Sequence, residues 1–213
     1  DTPNGKKISI MLEEIKFDYK VTKINILKDD QFKPDFKKLS PFSKIPVIID
    51  HDKKTSLFES GAILIYLGEK SGQFYNKNQR TIINQWLMGQ MAYIGPMLGQ
   101  HHQFHHYNPG KSEFGENRYF RIAERIYKEL DERLSQSKFL AGEDYTIADI
   151  ATFPWIARHD WHDIGLKKFK NLTRWYEEIS KREAVKRGYD LLDRGDLIPV
   201  SYTHLRAHET YDH

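Results

Sequence analysis

The chain has 213 residues, of which 39% are hydrophobic and 30% are charged, and its formal net charge is +3. This composition is typical of an ordinary globular protein with a buried core, and it excludes a disordered or fibrous chain. No apolar run approaches the ~18 residues that a membrane-spanning helix needs, and no basic stripe alternates with aromatic residues. We therefore expect neither a membrane nor a nucleic acid as a partner.

Cysteine is absent from the sequence. This excludes disulfide bonds, thiolate metal sites and a protein thiol nucleophile together. Any thiol chemistry must therefore come from a ligand.

The first third of the chain alternates between helical and strand patterns. Ile8, Met11 and Ile15 lie at helical spacing and predict a first helix over residues 4–15. The pattern then predicts a strand over 19–26, a short helix over 34–39, strands over 47–49 and 56–58 joined by a polar turn, and a helix that begins at Ser60. An α/β arrangement follows.

The predicted helix start at Ser60 has the chemistry of a binding site. A helix N-terminus offers unpaired N–H groups and a partial positive charge, so Ser60 can hold a small carboxylate. Glu59 can bind an α-ammonium group. The extended backbone at Pro46, for which a cis peptide bond is suitable, can pair with a ligand's own peptide group. These features predict a clamp for a peptide-like ligand with an amino-acid head group.

The remainder of the chain is predicted to be helical. Glycine and asparagine residues over 72–78 indicate a linker, and helices are expected over 79–100, 113–135, 146–160, 172–181 and from 184 onwards. Thr146 and Asp149 have the spacing of a capping box, so we assign them a structural role. The four tryptophans, Trp86, Trp155, Trp161 and Trp175, are expected in core or interdomain packing.

Several motifs together resemble one known family. They are Thr2-Pro3-Asn4-Gly5, Ser43-Lys44-Ile45-Pro46, Leu57-Phe58-Glu59-Ser60-Gly61, Gly95-Pro96-Met97-Leu98-Gly99-Gln100 and Tyr145-Thr146-Ile147-Ala148-Asp149. Over residues 2 to about 199 the chain resembles a glutathione transferase of the Nu class, the bacterial group related to the fungal nitrogen-catabolite regulator. The resemblance implies a cytoplasmic homodimer.

The resemblance also implies the domain organisation. Residues 1–72 would form a thioredoxin-like glutathione-binding domain whose first strand is missing from this chain. Residues 73–78 would form the linker, and residues 79–199 an all-helical C-terminal domain. Residues 200–213 resemble one translated frame of a sequencing adapter, and we interpret them as read-through that is not native.

By resemblance, nine residues have roles in glutathione binding. They are Thr2 and Asn4 at the sulfur, Gln31 at the glycyl carboxylate, Lys44 near the glycyl end, Ile45 and Pro46 along the cysteinyl backbone, Glu59 and Ser60 at the γ-glutamyl head, and Arg118 near the open side. A threonine hydroxyl or asparagine amide at a helix N-terminus can donate a hydrogen bond to a thiolate and lower its pKa. From the local sequence alone, Asn4 as the N-cap is the simpler explanation, and the glutathione motifs reverse that preference.

The activity implied by the resemblance is glutathione-dependent disulfide reduction. A bound thiolate attacks a disulfide and a second glutathione resolves the product, with up to two glutathiones in one site. One alternative is conjugation of glutathione to small electrophiles or reduction of organic peroxides. An alternative of another class is a glutathione-binding regulatory module without catalysis.

Four histidines lie close together in the sequence and suggest a metal site. His101 and His105, like His102 and His106, have the i, i+4 spacing of helical metal ligands. No acidic or thiolate third ligand lies close in sequence, so we expect no metal. A position in the substrate cleft, or in a loop after Gln100, is the simpler expectation.

Overall fold

A computed structural model describes residues 2–201, so that most of the interpretation of residues 200–213 falls outside the described part. The first part of the chain combines helices with a hairpin, and the second is helical. The elements are α1 (Pro3–Ile15), α2 (Pro34–Leu39), β1 (Val47–Asp50), β2 (Thr55–Phe58), α3 (Ser60–Ser71), α4 (Arg80–Gly89), α5 (Gly95–His101), α6 (Glu113–Gln136), α7 (Ile147–Ile156), α8 (Lys170–Ser180) and α9 (Glu183–Tyr189). The predicted fold class is confirmed. Within residues 2–201, no helix is both long and apolar enough to cross a bilayer.

Helix α1 is central to the packing. Thr2 is its N-cap, since the Thr2 hydroxyl accepts a hydrogen bond from the Gly5 amide at 3.1 Å, and Pro3 follows in the first helical position. Asn4 is therefore not the N-cap, and that explanation of Asn4 is wrong. The apolar face of α1 is buried, and the helix packs against α3, α7 and α9. Both parts of the chain thus share one core.

The sheet described by the structure contains two strands. β1 and β2 pair antiparallel, with Val47 opposite Phe58 and Asp50 opposite Thr55. The strand predicted over residues 19–26 is wrong, because no described strand lies beside this segment to form a hydrogen-bonded ladder with it. A cleft of about 930 Å³ is lined by both residues 17–24 and β1.

The hairpin is fastened to α3 through one carboxylate. Asp50, at the end of β1, accepts a hydrogen bond from the Tyr66 hydroxyl at 2.5 Å and another from the Lys70 ammonium. These donors hold the pKa of Asp50 well below its usual range. The position of Glu59 and Ser60, between β2 and α3, is fixed by this attachment.

The helices of the second part follow the predicted order, with one difference in kind. α4 and α5 are joined by a π-helical segment, Gln90–Ile94, and a second π-helical segment, His102–Tyr107, follows α5. The expectation of a loop after Gln100 is wrong, because the helical hydrogen-bonding continues with wider turns. At α7 the predicted capping box of Thr146 and Asp149 is confirmed.

Candidate functional site

The start of α3 has an unusual backbone and no side-chain cap. Glu59, the residue before the helix, has φ 69° and ψ 112°, and its side chain makes no capping hydrogen bond. A positive φ in a residue other than glycine costs of order 1–3 kcal/mol, and active sites and ligand clamps are places where such strain clusters. Glu59 is exposed, whereas Ser60 is buried. This helix start therefore keeps its backbone donors for another partner, with a carboxylate beside them.

A buried lysine lies behind Ser60. The Lys7 Nζ of α1 is 3.2 Å from Ser60 Oγ, 2.6 Å from Gln90 Oε1 and 3.3 Å from Met91 Sδ. Lys7 is 1% exposed. Burial lowers the pKa of Lys7 to about 7, and the negative charge of Glu59 opposes this shift. Below about pH 7 a cation is thus placed directly beneath the start of α3.

Asn4 lies in the first turn of α1 and is held by the helical part of the chain. The indole Nε1–H of Trp155, in α7, donates to Asn4 Oδ1 at 3.2 Å. With its oxygen engaged in this way, the amide of Asn4 has its NH₂ group as the end that can donate to a ligand. The position at a helix N-terminus favours a negatively charged acceptor. This geometry suits a thiolate.

The indole of Trp155 packs against two glycines of the Gly95–Gln100 motif. A Cβ at Gly95 would lie 3.3 Å from Trp155 Cε2, and one at Gly99 would lie 3.4 Å from its Cη2. On the other side, the ring of His102 stacks on Trp155 with the centroids 6.0 Å apart. The motif therefore lets α5 approach the indole that orients Asn4.

A hydrogen-bonded chain of buried rings supports His102. His102 Nε2 lies 2.7 Å from His162 Nε2, and His162 Nδ1 lies 2.6 Å from the Tyr127 hydroxyl. Burial lowers the pKa of His102 to about 3 and that of His162 well below its usual value, so both rings are neutral at neutral pH. These hydrogen-bonded rings hold His102 in place against Trp155.

The other histidines of the cluster contact aromatic rings. His101 stacks on His105 with the centroids 4.8 Å apart, and His106 stacks on Trp161 at 4.0 Å. His102, the first residue of the π-helical segment His102–Tyr107, pairs with His162. Over residues 2–201, no group of three or more histidine, aspartate or glutamate side chains has a metal-binding arrangement.

Of the remaining predicted residues, Ile45 and Pro46 share a cleft with Thr2, and Gln31 lies in a separate turn. The Ile45–Pro46 peptide bond is cis, as expected, and both residues line the 930 Å³ cleft together with Thr2. Gln31 is half-buried in a 3₁₀ turn, and its Nε2 donates to the Ile26 carbonyl at 3.4 Å.

Two cationic residues of the predicted set are exposed. They are Lys44, in the segment before β1, and Arg118, on α6 beside the ring of Tyr119. Within residues 2–201, the hydrogen bond of Gln31 and the ring contact of Arg118 are made with Ile26 and Tyr119 and not with Asn4 or Ser60. Their roles stay predictions.

Sequence reasoning missed two residues of this centre. Lys7 shares the buried face of α1 with Met11, four residues on, so helical periodicity could have marked it as a lysine in a core position. Trp155 was assigned to packing, and its hydrogen bond to Asn4 spans 151 residues of sequence. No local pattern carries that information.

The comparisons with known proteins agree with this geometry. The family model of the glutathione S-transferase N-terminal domain matches residues 1–69, and that of the C-terminal domain matches residues 101–183. The chain is 43% identical over 190 residues to the disulfide-bond oxidoreductase YfcG of Escherichia coli K12, in an alignment that covers 86% of this chain and 88% of that protein.

Two solved structures are similar throughout. A glutathione transferase from Burkholderia graminis, with two glutathione molecules bound per subunit, has a TM-score of 0.85 and 40% identity, over 91% of this chain and 86% of its own. A glutathione transferase from Pseudomonas putida, with one glutathione disulfide bound per subunit, has a TM-score of 0.82 and 42% identity, over 88% of this chain and 86% of its own.

Proposed function

The chain belongs to the glutathione S-transferase family, and on that premise we propose that it is a glutathione-dependent disulfide-bond oxidoreductase. One observation carries the proposal. Asn4, in the first turn of α1, has its oxygen engaged by Trp155, so that its NH₂ group is the donor for a ligand thiolate. The sequence contains no cysteine, and the sulfur chemistry therefore belongs to glutathione.

The start of α3 would hold the γ-glutamyl head of glutathione. The α-carboxylate would accept hydrogen bonds from the free backbone donors and from the Ser60 hydroxyl, and the α-ammonium would pair with Glu59. The extended backbone at Ile45 and the cis Pro46 would pair with the cysteinyl unit. Thr2, Gln31, Lys44 and Arg118 complete the proposed site, with the roles that the resemblance implies.

The reaction needs two glutathiones and no protein nucleophile. Lowering the thiol pKa at Asn4 gives a thiolate, which attacks one sulfur of a disulfide RSSR; an S–S bond forms to give GSSR, and RS⁻ leaves with the electron pair of the broken bond. A second glutathione thiolate then attacks the glutathione sulfur of GSSR, forms GSSG and releases the second RS⁻. Two glutathiones are oxidised, and one disulfide is reduced to two thiols.

The comparison structures support a site with room for both thiols. The relative from B. graminis holds two glutathione molecules per subunit, and the relative from P. putida holds glutathione disulfide, which is the product of the second step. We place the protein in the cytoplasm, where glutathione is kept largely reduced.

We also propose a homodimer. Phe42 and Phe58 form an exposed pair of rings, 6.3 Å apart between centroids, beside the start of α3. Exposed apolar pairs of this kind suit a protein interface. Light scattering of the protein as it elutes from a size-exclusion column should give twice the mass of the 25.2 kDa chain. Phe42→Ser should lower the measured mass.

The function is tested with the small disulfide of 2-mercaptoethanol. Formation of glutathione disulfide is followed through NADPH oxidation by added glutathione reductase. We expect turnover that depends on glutathione, and Asn4→Ala should lower kcat roughly 100-fold, as expected for loss of a donor to a developing or bound anion. Asn78→Ala, at an exposed asparagine in the turn before α4, is the matched control and should retain full activity.

Two outcomes would overturn the proposal. Turnover with 1-chloro-2,4-dinitrobenzene but not with the disulfide would make the protein a conjugating transferase. Binding of glutathione with no turnover of either substrate would make it a regulatory module.

A further inference from the structure

The three hydrogen-bond donors of Lys7 all point to acceptors inside the protein. An ammonium group has three N–H donors and no acceptor. Its neighbours at hydrogen-bonding distance are Ser60 Oγ, Gln90 Oε1 and Met91 Sδ, at 3.2, 2.6 and 3.3 Å. Ser60 Oγ is therefore an acceptor in its bond with Lys7. The hydroxyl proton of Ser60 must be directed elsewhere.

The surroundings leave few places for that proton. As a donor, the Ser60 hydroxyl contacts Met91 Sδ at 3.6 Å, and a thioether is a weak acceptor. The alternative is the space at the start of α3, where the helix has no side-chain cap. A carboxylate placed there would be a far stronger acceptor than the sulfur.

We propose that Lys7 is a positioning residue of this site: it holds Ser60 Oγ from behind, so that the Ser60 hydroxyl donates to the γ-glutamyl carboxylate of glutathione. The inference rests on the proposed function and names a residue to which none of the binding roles above was given. Lys7 does not reach the solvent face of the site, since it is 1% exposed. Its charge also favours an anion at the helix start.

The arrangement depends on the protonation of Lys7. A neutral amine accepts a hydrogen bond, so deprotonation would let the Ser60 hydroxyl turn back toward Nζ. The groups that face Lys7 are Glu59 and Ser60 at the start of α3, and Gln90 and Met91 from the π-helical segment, of which Glu59 is the charged one. Burial lowers the pKa of Lys7 to about 7, so the loss of its proton falls between pH 6 and pH 9, where binding can be measured.

The test uses the full chain and S-methylglutathione, a probe whose sulfur does not titrate. Lys7→Met keeps an unbranched side chain of similar length and removes the charge. At pH 6 we expect the Kd of the probe to rise about tenfold in Lys7→Met, the loss typical of one charge-assisted hydrogen bond. The ratio of the two Kd values should fall toward one as the pH rises to 9, because Lys7 then loses its proton in the wild type as well.

Lys6→Met is the matched control. Lys6 is also buried on α1, but its Nζ contacts the Tyr189 carbonyl and Asp196, at the α9 end of the chain. We expect its Kd to equal that of the wild type. In the disulfide assay, Lys7→Met should raise KM for glutathione and leave kcat at saturation unchanged, because Asn4 is untouched.

The possible results separate this inference from the proposed function. A wild-type chain that does not bind the probe would refute the glutathione site itself. A wild-type chain that binds, with Lys7→Met binding equally well, would refute the role of Lys7 alone. A loss of probe affinity that is equal at every pH, or equal in Lys6→Met, would show that replacing a buried lysine disturbs the structure in general. That result would also overturn the inference.

Discussion

Helices α3 and α7 begin in opposite ways. At α7, the Thr146 hydroxyl accepts from the Ala148 amide at 3.3 Å, and Asp149 Oδ2 accepts from the Thr146 amide at 3.0 Å. At α3, the side chain of Glu59 caps nothing, and its φ of 69° is unfavourable for a residue with a Cβ. The side chains of the protein cap the start of α7, whereas no side chain caps the start of α3.

The charges beneath the two helix starts differ as well. Asp149 is fully buried and accepts three further hydrogen bonds, from the Leu140 amide at 3.0 Å, from the Thr146 hydroxyl at 3.2 Å and from Trp175 Nε1 at 2.8 Å. Burial raises the pKa of Asp149 to about 6, although its four donors oppose the shift. Below α3 the buried titratable group is Lys7, which is a cation below about pH 7. An anion at a helix start completes the fold, and a cation there leaves the place of the anion to a ligand.

The largest effect is expected at α7. Asp149→Ala should lower the free energy of unfolding by roughly 3 kcal/mol, because it leaves several buried donors unpaired as well as removing the cap. Urea unfolding followed by tryptophan fluorescence measures this. Asp144→Ala, at an exposed position just before the helix, is the control and should change the stability by less than about 0.5 kcal/mol. An Asp149→Ala chain as stable as the control would contradict the structural role of this helix start.

At the start of α3 a substitution should affect binding and leave stability nearly unchanged. Glu59→Gln removes the charge that would pair with the α-ammonium of glutathione, and we expect KM for glutathione to rise roughly 10- to 100-fold. The exposed side chain makes no capping hydrogen bond, so the midpoint of urea unfolding should stay within error. Glu69→Gln, exposed on the same helix, is the matched control. If the two variants had the same KM, Glu59 would not bind the head group.

The comparison also shows what the sequence could and could not predict. The capping box at Thr146 and the open helix start at Ser60 were both predicted, because each depends on residues that are neighbours in sequence. Loss of a helix cap alone typically costs ~1 kcal/mol. The contact with Trp175, 26 residues away, and that with Leu140 make the expected cost larger. Long-range hydrogen bonds have no local pattern.

The wrong predictions also concern features that depend on residues distant in sequence or on backbone detail. The segment 19–26 has the apolar content of a strand, but a strand also needs a neighbour with which to pair. The π-helical turns at Gln90–Ile94 and His102–Tyr107 are not visible in apolar periodicity. The helix bounds themselves were close, since caps and periodicity are local signals.

Helix α1 lies between the two extremes and gives a smaller effect. Thr2 caps it, while Asn4 in the same turn keeps its NH₂ group for a ligand. Trp155→Phe preserves most of the packing but removes the donor that orients Asn4, so kcat for disulfide reduction should fall about 5- to 10-fold, the range of one neutral hydrogen bond, with KM for glutathione unchanged. Trp161→Phe, at a ring that stacks on His106, is the control. A fall in kcat together with a rise in KM in both variants would indicate loosened packing rather than loss of orientation at Asn4.

The cost of keeping a cation under α3 should appear as a pH dependence of stability. The pKa of Lys7 is about 7 in the folded chain, and an unfolded lysine titrates near 10.4. Between these values the unfolded state binds more protons than the folded state, so the free energy of unfolding rises with pH, by about 1 kcal/mol per pH unit for this group. Lys7→Met should lose that slope between pH 7.5 and 9.5, while Lys38→Met, exposed on α2, should keep the slope of the wild type. Urea unfolding at four pH values decides this, and equal slopes in all three chains would mean that the pKa of Lys7 is the same in the folded and the unfolded chain, so that burial does not lower it.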